Sequence, residues 1–171
     1  MAVGPTVYTL GYEGCDIDEF IAGLKKNKIR RIVDIRRTPV SRKKGFSKNI
    51  LAAELAKYDI ECFYMGKELG VPSEWRKAQK AHKITRTKMF SDYTHKILPK
   101  HSNDISYLMT VVKKKGRTAL LCYENDALDC HRHFLAEEMK KHDKRLKIVD
   151  ISVLPTEKTL GLMKSGFRRA A

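Results

Sequence analysis

A chain of 171 residues, 42% hydrophobic and 32% charged, carries enough apolar material for one buried core, which excludes a disordered polymer and a repeat array. Its apolar runs, such as 119–123, fall far short of the roughly 20 residues that span a bilayer, and no signal-peptide layout is seen, so a cytoplasmic protein without membrane contact is expected. The formal charge of +15, from 35 Lys and Arg against 20 Asp and Glu, sets up a field that attracts nucleic acid or a phosphate-bearing small molecule as partner.

In chain order, Val7 to Leu10 reads as a short buried strand, and Gly11 supplies the turn that follows it. Asp16, with Glu19 three residues on, caps a predicted helix whose apolar face is Ile17, Phe20, Ile21 and Leu24. The β-branched run Arg31 to Ile35 is a second strand. After a basic loop through Pro39 and Gly45, Ser47 is expected to cap a helix carrying Ile50, Leu51, Leu55 and Tyr58, and Glu61 to Met65 forms a third strand.

The segment 66–102, with the single Trp (Trp75), has mixed charge and one predicted helix through Phe90, Tyr93 and Ile97, so it reads as an insertion-like elaboration over the sheet. Ile105, Leu108, Met109 and Val112 define a further helix, closed by Lys113 to Gly116. Thr118 to Tyr123 is a strand, Asp129 is the expected cap of a helix with Phe134, Leu135 and Met139 inward, and Leu146 to Ser152 is the last strand. A basic tail begins at about residue 156. Strands alternating with helices predict a single α/β domain over 1–171, a mainly parallel sheet of about five strands with helices on both faces in a Rossmann-like three-layer arrangement.

Ligands of such sheets bind outside the carboxyl ends of the strands. Three polar loops leave strand ends here: Gly11, Tyr12 and Glu13; Asp34 to Arg37, with Ser41 and Arg42 beyond; and Cys122 and Glu124, followed by Cys130, His131 and Arg132. They are expected to converge. Between Lys25 and Lys48 stand eleven basic residues and one acid, Asp34, which locates the anion-binding side. Arg36, Arg37, Arg42 and Arg132 offer forked guanidinium groups to a phosphate, Lys48 adds a point charge near a helix start, and Gly11, Tyr12 and Ser41 complete the binding wall. The competing reading is that Arg36 pairs with Asp34 inside a buried network and touches no ligand.

Asp34 and Glu124 are candidates for acid/base work or for stabilising an oxocarbenium ion, and Cys130 and His131 occupy the first turn of a helix, where the dipole favours a thiolate and an anion. No cofactor is expected. No metal site is expected either, because the spacing of Cys122, Cys130, His131 and His133 is not a standard zinc pattern and the two histidines lie on different helix faces. The four cysteines, Cys15, Cys62, Cys122 and Cys130, form no Cys-x-x-Cys pair and read as free thiols, with Cys122 a small buried hydrophobe.

Taken together, Thr9-Leu-Gly-Tyr-Glu13, Val33-Asp-Ile-Arg36 with Pro39, Ser41-Arg42 and Phe46-Ser47, Leu69-Gly70, and Cys122-Tyr-Glu124 with Cys130-His-Arg132 resemble the family called domain of unknown function 488. The likeness covers nearly the whole chain. It departs at Lys43, Lys44 and Gly45 inside the loop, and at Tyr12-Glu13, where many members carry His-Ser or His-Thr. The resemblance implies the fold and the location of the site, and singles out Asp34, Arg36, Glu124, Cys130, His131 and Arg132. It implies no reaction.

The leading functional expectation is an enzyme acting on a phosphate-bearing nucleoside or nucleic acid through glycosidic-bond or related acid/base chemistry. A non-catalytic nucleic-acid-binding module is the alternative. Thiol-based chemistry like that of sulfurtransferases is the third, weakened by the acidic Glu124-Asn-Asp126 connection after the strand-end cysteine. Oligomeric state is left open.

Overall fold

The computed structural model describes residues 4–154, so the basic tail from about 156 lies outside the described residues. Its elements are β1 (Thr6–Gly11), α1 (Ile17–Lys26), β2 (Ile29–Asp34), α2 (Lys48–Ala56), β3 (Glu61–Tyr64), α3 (Gly66–Leu69), α4 (Ser73–Lys80), α5 (Arg86–Asp92), α6 (Ser102–Val112), β4 (Arg117–Cys122), α7 (His131–His142) and β5 (Lys147–Asp150), with a π-helical turn at Tyr93–Ile97 and a 3-10 turn at Leu98–His101 between α5 and α6. All five strands are parallel, in the order β3-β2-β4-β1-β5. No helix among the described residues is long and apolar enough to cross a membrane.

Period-two alternation divides the sheet between two apolar layers. Ile32, Ala119 and Leu121 face α1 and α2, meeting Phe20, Leu24, Leu51 and Leu55, whereas Val33 and Leu120 face the other layer, with Ile105, Leu108, Leu135 and Met139. Burial on both faces explains why β2 and β4 read as near-continuous apolar runs. At α1 the predicted capping box forms: Asp16 accepts from the Glu19 amide at 2.8 Å, and the Asp16 amide donates back to Glu19 at 2.9 Å.

Several local expectations are corrected. On α2 only Leu51 and Leu55 are buried; Ile50 is 54% exposed, and Tyr58, beyond the helix end, is 42% exposed under the Lys25 ammonium. Ser47 occupies the cap position, but its hydroxyl bonds the backbone of Ser41 and closes the basic loop instead of the helix. The cap of α7 is Cys130, one residue later than predicted, because the Asp129 carboxylate is drawn to Arg86. The segment 66–102 holds three helices, a wider π-helical turn and a tighter 3-10 turn where one helix was expected. It also builds core: Met89, Phe90, Tyr93 and Leu98 are buried, and the Tyr93 hydroxyl donates to the Leu69 carbonyl at 2.6 Å.

Candidate functional site

The strand order brings β2, β4 and β1 side by side, with Asp34 opposite Leu121 and Gly11 opposite Cys122. The three polar loops named from the sequence therefore leave one edge of the sheet together. Contact between them is close. A Cβ on Gly11 would lie 1.8 Å from the Glu124 carbonyl oxygen, so only glycine lets the β4 loop cross β1 here. The Glu13 amide donates to the Tyr123 carbonyl at 2.8 Å, and the Asn125 amide returns to the Glu13 carboxylate at 3.0 Å.

Arg36 and Asp34 are turned inward, 6% and 1% exposed. The guanidinium donates to both carboxylate oxygens, Nε to Oδ1 at 2.8 Å and Nη2 to Oδ2 at 2.6 Å, while Nη1 donates to the Phe46 carbonyl at 2.8 Å and the Tyr12 hydroxyl at 3.0 Å. Burial works against the Arg36 charge, and the Asp34 pair outweighs it, so the guanidinium is held more firmly protonated than usual. A charge this buried must be paired, and the pairing is local. The two charges are thus directed at each other, as in the competing reading of a buried network, which argues against Arg36 gripping phosphate and Asp34 acting as a base. Arg132, 1% exposed, is likewise turned inward: Nε donates to Thr9 Oγ1 at 3.2 Å, Nη2 to the Asn125 carbonyl at 2.9 Å, and Nη1 to the Glu124 carbonyl.

The remaining binding candidates divide by exposure. Gly11 and Tyr12 are buried, with Tyr12 stacked on Phe46 at 4.3 Å and its hydroxyl 3.5 Å from Ser41 Oγ, so they form the floor under the basic loop. Ser41 is half-buried and also accepts from the Lys43 amide. Lys43 turns its ammonium back to the carbonyls of Tyr12 and Cys15. Arg37, Arg42, Lys44 and Lys48 are exposed; Arg37 donates to the Lys67 carbonyl, and the Lys48 ammonium lies 4.0 Å above the Tyr64 ring.

The chemically richest group lies at the junction of β4 and α7. Cys122 ends the strand, Cys130 caps the helix and His131 is its first residue, and their Sγ, Sγ and Nδ1 atoms all fall within 4.8 Å of one another. All three side chains are buried. His131 Nε2 is 3.0 Å from the Ile35 carbonyl oxygen, which can only accept, so Nε2 carries the proton and Nδ1 turns towards the sulfurs. The Tyr93 ring meets the imidazole edge-on at 5.5 Å and holds it in place.

Beside this group, Glu124 accepts from the Cys122 thiol at 3.1 Å and is met by Arg76 at 3.3 Å and Arg86 at 3.6 Å. Burial pushes its carboxyl up, and the Arg76 charge and the Cys122 hydrogen bond more than reverse this, bringing it down to about 2. Burial also raises both thiols. In Cys122 the hydrogen bonds from Cys130 and with His131 outweigh it, so Cys122 is the more acidic of the pair. Arg86 goes on to line a cavity of about 460 Å³ with Phe90, Thr94, Leu128 and Phe134.

Sequence reasoning missed Arg76 and Arg86, whose helices carry mixed charge, and it set Cys122 aside. The pattern that could have found Cys122 is Cys-x-Glu closing a strand ahead of Cys-His opening a helix. His133, by contrast, stands apart from the cluster with its ring on Phe134.

The chain belongs to the family described as Domain of unknown function DUF488, whose model matches residues 16–139 and so takes in Arg76, Arg86, Cys122, Glu124, Cys130 and His131. No curated protein and no solved structure matches it.

Proposed function

We propose that this DUF488 protein is an enzyme acting on a nucleotide or nucleic acid at the carboxyl edge of its sheet, with Glu124 at the reacting centre and arginines holding phosphate. The observation that carries the reading is the Arg76–Glu124–Arg86 group, one wall of which opens on the cavity of about 460 Å³. Each guanidinium has five donors, of which Glu124, Asp129 and His131 engage a part, and the remainder are available to a phosphate. Between two cations a carboxylate stays ionised, which suits stabilising positive charge on a sugar carbon or accepting a proton. Arg42, Lys44 and Lys48 on the exposed loop supply the attraction for a longer polyanion, and Tyr123, 43% exposed, offers a face for a base.

Titration with a mononucleotide, single-stranded RNA and single-stranded DNA over a salt series tests this. Arg86→Gln is expected to lose mononucleotide binding while the fold, followed by circular dichroism, persists. The double variant Arg42→Ala, Lys44→Ala is expected to flatten the salt dependence of polynucleotide binding by about 1.5 in log affinity against log salt. Unchanged affinity in both variants would remove phosphate from the account. The burial of Asp34, Arg36 and Arg132 favours a second reading, a non-catalytic nucleic-acid-binding module that uses the loop alone. Turnover of a nucleoside or nucleotide by the wild type, lost in Glu124→Gln, separates the two.

A further inference from the structure

We propose that Cys122, Cys130 and His131 bind one divalent metal ion of the zinc class, with a fourth position open beside Glu124. The inference goes beyond the proposed function and does not depend on it. Two sulfurs and an imidazole nitrogen are the donor set that zinc prefers. Zinc bonds of about 2.3 Å to sulfur and 2.0–2.1 Å to nitrogen, at the tetrahedral angle, require sulfur and nitrogen to stand about 3.6 Å apart. The Cys122 and Cys130 sulfurs stand 3.6 and 3.7 Å from His131 Nδ1, matching that separation, and the two sulfurs lie within 4.8 Å of each other.

The imidazole is also held as a ligand would be. Metal-binding histidines donate their other ring N–H to a carbonyl or carboxylate, which fixes the tautomer, and the Ile35 carbonyl does this for Nε2. The three donors come from a strand end and a helix start that the core holds rigidly. A cation already stands over them: Arg76 Nη2 is 3.2 Å from Nδ1, and a metal ion would take its place at that nitrogen. Charge balances on the exchange, since a dication replaces the protons of two thiols, which pass to solvent. Glu124 Oε2 is 3.1 Å from Cys122 Sγ yet does not join the group of three. The arrangement therefore matches a site with three protein ligands and a fourth place for water or a substrate oxygen, next to a carboxylate.

The test uses the full chain, reduced, stripped with a chelator and titrated with cobalt(II). One ion per chain is expected, with a thiolate-to-cobalt charge-transfer band in the near ultraviolet that zinc abolishes. Cys122→Ser and Cys130→Ser should each weaken binding by more than the roughly 10–100-fold that loss of an outer partner costs, while Cys62→Ser leaves it unchanged. A second measurement needs no variant: X-ray absorption at the zinc edge of the wild type should show two sulfur ligands and one imidazole nitrogen on the ion. Absence of the band in folded, reduced protein overturns the proposal. So does a band that survives both serine variants, or a bound zinc without sulfur ligands.

Discussion

Asp34 and Arg36 illustrate how two adjacent charges can be structural at the edge of a binding site. Their side chains are 2% and 6% exposed and meet through two parallel bonds, so Asp34→Asn leaves a guanidinium without its counter-charge in a dry place. The expected cost is about 3–5 kcal/mol in urea unfolding. Replacing both, Asp34→Leu with Arg36→Met, should recover part of it, the remainder being the lost partners of Phe46 and Tyr12. A single variant within 1 kcal/mol of wild type would return Asp34 to the list of catalytic candidates. The sequence raised this pairing as a competing reading because the two residues are two apart at a strand end. It gave no such warning for Arg132, whose acceptors come from residues 9, 124 and 125 and become neighbours only once β1 lies beside β4.

At the scale of elements, the stretch from α3 to the 3-10 turn supplies both the roof of the site and part of the core. Tyr93 anchors it: its buried hydroxyl donates to the Leu69 carbonyl and its ring supports His131. Tyr93→Phe keeps the ring and orphans the carbonyl, so a loss of about 1–3 kcal/mol is expected by thermal or urea unfolding, with the His131 cluster retained. The spacing of Phe90 and Tyr93 was legible as an apolar face. Nothing marked α4 as functional, because none of its residues is buried and Arg76 acts from an otherwise solvated helix. A second junction, where α7 leads into β5, carries a pH signature. Hydrogen bonds from Arg145 and Lys113 draw the Asp143 carboxyl from 3.8 down to about 2. A group lowered in the folded state stabilises above its unfolded value and loses that contribution as pH falls through the folded one. Asp143→Asn should therefore lower the melting temperature at neutral pH, with the difference from wild type closing between about pH 4 and pH 2.

For the molecule as a whole, the alternation of strands and helices made the parallel sheet and its two helical layers readable, since each crossover must return the chain to the same end of the sheet. The neighbour relations were not readable. That β4 inserts between β2 and β1, and β5 adds outside β1, is decided by which apolar faces fit, a property of the packed layers and of no single segment. Yet this order is what makes the site, by bringing Ile35, Cys122 and Gly11 to one edge. The net charge of +15 belongs to this scale too, and the inward turn of Arg36 and Lys43 shows that the loop's outer field comes from fewer cations than its composition implies.

One tie reaches across the sheet. The Asp150 carboxylate at the end of β5 accepts from the Thr9 hydroxyl, Thr9 accepts from Arg132, and Arg132 clasps the backbone of Glu124 and Asn125. During synthesis β5 is the last of the five strands to emerge, and domains fold as their chains are completed. A nascent chain that has already exposed Cys122, Glu124, Cys130 and His131 thus still lacks the outermost link that fixes the loop between them. The Glu124 edge therefore gains this brace only once β5 has paired with β1, which ties the outermost strand to the far loop through two side chains.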